Sequence, residues 1–345
     1  MHRTGKVVIS IFSVVLLFFV TIAADAAQKG VSAVVTYTKG RVQVMPSGTK
    51  TWNNANMGQF IYEGDTVRTG PASRAGLTYT GAIETRLNAN TTIKVEPAEL
   101  ANKGEGDKIQ MLFGKVWTKI LKKRTKFQIY TPVAVCSVRG TEYETDVEKD
   151  GRTDVKVYEG EVELFNDYGS KKVNKNSKSS VGAGSPPSDP VPLGGGEKET
   201  WQEEMNTKGS LKLDLGNKEV AAGRTLEATV TVLDKKGNKD EKYAKKITIS
   251  SDNNDIAFAL GGSDDWSSKQ ESVPAAGGLV FRIKALKDSS SGANISVSAE
   301  DLGVTMGKID IKRVPVKNLK VKIKTADGKE KELLLKFKAR QGSTL

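Results

Sequence analysis

Gly160-Glu161-Val162-Glu163-Leu164 opens on the most flexible residue and then alternates acidic with aliphatic side chains. In an extended chain successive side chains point to opposite faces, so Val162 and Leu164 share one face and the two glutamates the other. That is a half-buried strand entered through a glycine. Gly40-Arg41-Val42-Gln43-Val44 and Gly114-Lys115-Val116-Trp117-Thr118 repeat the form. Their spacings, 74 and 46 residues, are unequal, which argues against a fixed-period solenoid and for recurrent hairpin starts.

Working outward, the period of two runs from Val31 to Phe165 in short stretches broken by Gly, Pro and Asn, and no long helical pattern interrupts it. A first β domain is expected over 31–167. Residues 168–196 are rich in Ser, Lys, Gly and Pro and poor in apolar side chains. They predict a linker, extended to 208 by a short helical turn around Trp201, whose ring is expected to pack back onto a neighbouring domain. Alternation resumes at 211–215, 226–233, 246–250, 279–285, 293–299 and 304–311, with Asp234 to Asn238 supplying turn chemistry. About seven short strands in about 100 residues predict a β-sandwich over 209–313.

Residues 314–345 read as a basic hairpin about Asp327-Gly328. Lys320, Lys322 and Lys324 alternate there with Leu319, Val321 and Ile323, which predicts a wholly cationic solvent face. Lysine on an edge strand protects it from further pairing; the same row is the candidate polyanion contact. The expected fold class is mainly β throughout.

At the other end, Arg3 and Lys6 precede an apolar run from Val7 to Ala24, and Ala24-Asp25-Ala26 offers small residues for cleavage. The reading is a signal peptide over 1–26 and a mature chain beginning near Ala27, with an uncleaved inner-membrane anchor as the alternative. Either places the rest of the chain outside the cytoplasm: periplasmic, envelope-associated or secreted. The formal net charge is +12, and about +11 without the first 26 residues. A cationic surface in that compartment favours anionic polymers of wall or membrane over nucleic acid, although it also serves solubility alone.

The single histidine is His2 and the single cysteine Cys136. Without imidazole, the Ser-His-Asp and Cys-His arrangements and the common zinc sites are unavailable, and no Gly-rich phosphate loop appears. A carboxylate pair could still hydrolyse a glycan, but nothing nominates one. The chain is therefore expected to be no enzyme, with no cofactor, no resident metal and no small-molecule substrate. Cys136, among Val133, Val135 and Val138, reads as an apolar filler. Asp252, Asn253, Asn254 and Asp255, and Asp264-Asp265, are oxygen-rich loops that suit calcium by ligand type but not by spacing. Lys119, Lys122, Lys123, Arg124 and Lys126 read as a solvated basic face.

Tyr62-Glu63-Gly64-Asp65-Thr66-Val67-Arg68-Thr69-Gly70, then Ser73-Arg74-Ala75 and Leu77, form a multi-residue pattern. Arg86-Leu87, Thr131 to Val135, Val138-Arg139-Gly140-Thr141-Glu142-Tyr143 and Val157 to Val162 follow in order. Together these resemble the periplasmic FecR-type module over roughly residues 33–205. Residues 210–313 resemble bacterial invasin-type immunoglobulin-like domains, through Thr231 to Asn238 and Ile295 to Asp301. The resemblance implies a binding or sensing module. The candidate binding or structural motif is Gly64, Asp65, Arg68, Thr69, Gly70, Arg139, Gly140 and Thr141. Asp65 is expected to close a turn, and Arg139 to bond strand carbonyls, or a carboxylate such as Asp65 or Glu142, or else to anchor an anionic ligand. In the family's regulators a cytoplasmic segment handles a sigma factor, whereas six residues precede the apolar run here. The expected function is therefore a non-enzymatic interaction module for an envelope protein or anionic surface polymer. The alternative is a sensor that relays envelope or outer-membrane state to a separate membrane partner.

Overall fold

The computed structural model describes residues 30–79, 83–96, 107–121, 125–287, 292–312, 318–324 and 330–336, the last two segments by their backbone. Almost all of the regular structure is strand. The first unit contains β1 (Val31–Lys39), β2 (Val42–Met45), β3 (Asn53–Asn54), β4 (Phe60–Tyr62), β5 (Thr66–Thr69), β6 (Arg74–Tyr79), β7 (Ile83–Leu87), β8 (Thr92–Val95) and β9 (Asp107–Ile120). It continues with β10 (Lys126–Tyr130), β11 (Val135–Arg139), β12 (Glu142–Val147), β13 (Thr153–Glu159), β14 (Glu161–Asn166), β15 (Gly169–Asn174), β16 (Ser177–Val181) and β17 (Val191–Pro192).

Pairing resolves these strands into two stacked sheets. Sheet A runs β4-β1-β6-β7-β9-β12-β13-β16-β17. Sheet B runs β3-β2-β5-β8-β9-β10-β11-β14-β15. The long β9 serves both: its first half pairs with β8 and β10, its second with β7 and β12. Gly114 marks the passage. Its φ is +102°, and a Cβ there would stand 2.5 Å from Thr91 Cα, so glycine alone fits.

Gly40 and Gly160, at φ +71° and +81°, stand where the chain leaves sheet A for sheet B, between β1 and β2 and between β13 and β14. The three glycine-led runs are thus corners between layers and not the hairpin starts expected from sequence. A left-handed residue bends the chain sharply enough to carry the next strand into the other layer. Between the layers lie Ile61, Leu77, Leu87, Ile93, Ile109, Met111 and Phe127, all buried. Tyr79 and Phe127 meet across the gap with ring centroids 5.4 Å apart.

Residues 168–196 are not the linker expected from their composition. β15 pairs with β14, β16 with β13 and β17 with β16, and Val173 and Val181 are buried in the same core. Two inward valines suffice because the facing sheet supplies the remaining apolar surface; the lysines and serines largely take the other positions. Residues 201–205 form a 3-10 helix that lies on sheet A.

A β-sandwich follows. It contains β18 (Gly209–Asp214), β19 (Glu219–Ala221), β20 (Thr225–Asp234), β21 (Ile247–Ser251), β22 (Ile256–Leu260), β23 (Lys269–Ser272), β24 (Gly278–Ala285), β25 (Ala293–Ala299) and β26 (Gly303–Lys312). One sheet is β18-β20-β24-β22, the other β19-β26-β25-β21-β23. Val230, Ile249, Phe258, Phe281, Ile283, Ile295 and Val297 fill the space between them. The sandwich docks on the double sheet. Tyr62 Oη donates to the Asp252 carbonyl at 2.9 Å, and the fully buried Ser296 Oγ donates to the Gly58 carbonyl at 2.8 Å.

The tail forms β27 (Asn318–Lys324) and β28 (Glu330–Lys336), antiparallel, with Lys322 opposite Glu332 and Lys324 opposite Glu330. The side chains of both strands, and with them the expected cationic face of Lys320, Lys322 and Lys324, lie outside the described residues. The segment 1–26 and the Asp327-Gly328 turn lie outside the described residues. No helix among the described residues is long and apolar enough to cross a membrane.

Candidate recognition faces

The motif residues are distributed over the corners of the double sheet. Asp65 is buried and accepts from the Ser47 N–H at 2.8 Å and the Tyr62 N–H at 3.0 Å, tying the β2–β3 loop to the β4–β5 turn. Gly64 at φ +83° brings the turn within reach, since a Cβ would meet Ser47 Oγ at 2.5 Å. Thr69 Oγ1 donates to the Asn88 carbonyl at 2.5 Å and accepts from the Thr91 N–H at 3.0 Å. Gly70 donates its N–H to Arg41 O at 2.9 Å. Thr141 Oγ1 donates to Glu161 O at 2.8 Å beside Gly140, whose φ is +78°.

These groups hold backbone in place. The two halves of the motif are not brought together, because β5 and β11 are four strand spacings apart in sheet B, roughly 19 Å. Arg139 ends β11 opposite Lys126. Its side chain lies outside the described residues, and with it the choice between structural and ligand-binding roles. Arg68 is different: it is half-exposed on the outer side of sheet B. Its Nε and Nη2 donate to Gln43 Oε1 at 3.1 and 2.9 Å, and its guanidinium carbon stands 3.8 Å from the Trp52 ring centroid.

On the outer side of sheet A, strand registers place Arg86, Trp117, Glu144, Lys156 and Lys178 in one cross-strand row, and Lys115, Asp146 and Asp154 in another. The segment carrying the 3-10 helix lies over them. Trp201 packs against Trp117 and Tyr158, and its Nε1 donates to Glu144 Oε2 at 3.0 Å. Lys115 Nζ reaches Glu199 at 2.5 Å and Asp146 at 3.3 Å, while Lys156 Nζ lies 3.3 Å from Glu199 and 3.6 Å from Glu144. Arg86 donates to the Gln202 carbonyl and to Asn206 Oδ1, and stacks on Trp117 at 4.9 Å.

Electrostatics in this patch follow from burial against partners. Glu144, with 1% of its side chain exposed, has its pKa raised chiefly by burial, which Lys115 and the Trp201 N–H only partly offset. Burial also opposes the charge on Glu199, but the hydrogen bond and charge of Lys115, then Lys156, outweigh it and hold Glu199 below the usual range. This network was invisible to motif reading. Its signal was the alternation Glu142-x-Glu144-x-Asp146 facing Lys115-x-Trp117-x-Lys119, opposite signs on strands that register later brings side by side.

Sheet B's outer side has no comparable cover among the described residues. One row crosses it as Lys94, Gln110, Tyr130, Val135, Phe165 and Ser170, and the next as Lys108, Gln128, Ser137, Glu163 and Lys172, of which Lys108 alone is buried, at 7% exposed. Tyr130, Val135 and Phe165 are half-buried on this outer side, and Leu112 and Phe113 nearby are 41% and 40% exposed.

The remaining candidates are absorbed structurally. Cys136 is buried between the sheets, where desolvation pushes its thiol up to about 12, so no thiolate forms near neutrality. Asp252 accepts from the Asn294 N–H and side-chain amide at 2.9 and 2.7 Å; Asp264 pairs with Arg282 at 3.2 Å. Among the described residues no three acidic, His or Cys side chains gather as a metal group. Asp107, the first residue of β9, is half-buried and in register with the inward-facing Phe127. Burial first, then the Glu63 charge, raises its pKa to about 6.

A non-repeating double-layered β unit with one outer face covered by its own chain, joined to a β-sandwich, is the class of protein this architecture defines. Residues 65–163 match the family model described as FecR protein, so the chain carries a FecR domain there. The match is narrower than the 33–205 span of the sequence resemblance; β1 to β4 and β15 to β17 complete the same double sheet outside it. No curated protein sequence matches the chain. Among solved structures, one described as an anti-sigma factor from Parabacteroides distasonis aligns at 17% identity and TM-score 0.33, over 37% of this chain and 59% of that one. A glycosyl hydrolase family 2 member from Bacteroides cellulosilyticus aligns at 16% identity and TM-score 0.26, over 47% and 23%. A cohesin module from a Clostridium perfringens family 33 glycoside hydrolase aligns at 14% identity and TM-score 0.22, over 32% and 100%.

Proposed function

We propose that this chain is an exported recognition protein of the cell envelope, non-enzymatic, with the FecR-bearing double sheet as binding module and the sandwich, read as immunoglobulin-like, as a docked second unit. The observation that carries the reading is the outer side of sheet B. It is a broad, regular surface with an aromatic and aliphatic ridge at Tyr130, Val135 and Phe165 beside a polar row. Large amphipathic side chains on a rigid scaffold contribute contact area at low ordering cost, which suits a protein partner.

The non-enzymatic part is supported by residue chemistry. The only histidine is His2, and the cysteine thiol is held neutral by burial. Membership of the envelope is supported by the FecR domain and by the N-terminal apolar run. The test is capture of envelope proteins by the immobilised full chain. Retention of a discrete partner that is lost on Tyr130→Ala with Phe165→Ala supports the reading; retention unchanged by that pair, or no retention, refutes it.

Signal relay is a second reading favoured by one feature. The segment 197–206 that joins the two units is also the cover of sheet A, so a partner that moved the sandwich would act on the Trp201 contact. Relay predicts that partner binding alters Trp201 fluorescence.

A further inference from the structure

Where the sandwich docks on the double sheet, the two units enclose a cleft of about 1150 Å³. One wall is the end of β1 with the loop before β4; the other is β21, β23 and the end of β25. The Tyr62 and Ser296 hydrogen bonds fix the walls relative to one another. Interfaces between domains are favoured places for ligand sites, and this volume is slightly above the usual range of about 300–1000 Å³.

The lining has a consistent chemistry. Lys39, Lys245, Lys246 and Lys269 line the cleft with Glu271 and Glu300, and no arginine does so among the described residues; Lys39 and Lys245 are already paired, at 2.9 Å each, with Glu204 and Asp301. Glu271 is shared: one oxygen lies 3.0 Å from Lys246 and the other 2.7 Å from Lys269. A single carboxylate between two ammonium groups leaves one positive charge without a counterpart. The rest of the wall is hydroxyl and amide, with Thr38, Gln59, Thr248, Ser250 and Ser298, next to the rings of Tyr37 and Phe60. Hydroxyls and amides both donate and accept, as sugar hydroxyls do, and spaced lysines supply point charges for anionic groups set along a chain.

We propose that this cleft binds an acidic polysaccharide, a uronate-bearing chain whose carboxylates meet Lys246 and Lys269 and whose hydroxyls meet the Ser, Thr and Gln side chains. It rests on the envelope-recognition reading and adds a ligand class and a site. In this site the ligand carboxylate completes the charge balance that Glu271 leaves half-made.

The test is calorimetric titration of the purified full chain with an oligogalacturonate, with a neutral oligosaccharide of equal length and inorganic polyphosphate as comparators. Expected are binding to the uronate that weakens several-fold with added salt, little for the neutral chain, and a loss of about tenfold in Lys246→Gln with Lys269→Gln. Lys320→Gln, Lys322→Gln and Lys324→Gln together leave that binding unchanged. No binding of the uronate, equal binding of polyphosphate, or loss only in the tail variant overturns the site. Capture of a protein through sheet B is independent of these outcomes, so failure here is distinguishable from failure of the wider reading.

Discussion

The two outer faces of the double sheet share β9 and differ in what lies on them. Sheet A presents alternating charge around Trp117 and Glu144, and the chain folds back to cover it with Trp201 and Met205. Sheet B presents Tyr130, Val135, Phe165 and Arg68 over Trp52, and the described chain leaves it open. A face rich in buried charge needs partners at all times, because an unpaired buried carboxylate costs several kcal/mol; a face of mixed aromatic and amide character tolerates solvent and a partner in turn. The difference separates what the fold requires from what is available for function.

The sharpest way to break this comparison acts on both faces at once. Gly114→Val places a side chain against the Thr91 backbone at a left-handed φ, and a loss of roughly 3–6 kcal/mol is expected, read as failure to accumulate folded protein or as a collapsed urea midpoint. Next is Trp201→Ala. It removes the indole from between Trp117 and Tyr158 and leaves Glu144 without its donor, so urea unfolding should show a loss of about 3–5 kcal/mol.

A smaller effect is expected from acid. Asp107 binds its proton near pH 6 in the fold against the ordinary 3.8, so the folded state holds more protons in that window. Stability should therefore rise as pH falls from about 6 toward 4, and Asp107→Asn should flatten that rise and stabilise the protein at pH 7 by on the order of 1 kcal/mol after screening. Thermal melts across this range decide it; an unchanged slope in the variant contradicts the half-burial of Asp107. The smallest expected effect on stability sharpens the contrast. Arg68→Ala, losing the Trp52 stack and two bonds to Gln43, should cost at most about 1 kcal/mol in the same melts.

Much of this architecture was legible as period-two alternation, and the FecR pattern pointed to the first unit. What escaped did so for physical reasons. β22, Ile256-Ala257-Phe258-Ala259-Leu260, is buried at Ala257 and Ala259 as well as on its core face, which erases the alternation. β15 and β16 bury one valine each in the shared core, too little for a composition-based reading to see. The glycine corners were recognised as strand starts, but which layer each strand joins is a long-range property. The same holds for the candidate sites: Asp65 and Thr141 belong to separate corners, while the Glu144 network depends on register among β9, β12 and β13.

The central claim is that sheet B's outer face meets partners while sheet A's is closed by its own chain. Site-specific photo-crosslinking in intact cells tests it directly, with the reactive group at Gln128 on sheet B or at Met205, buried between the covering segment and sheet A. The account predicts partner adducts from position 128 and none from 205. Adducts from 205 with none from 128 would contradict it.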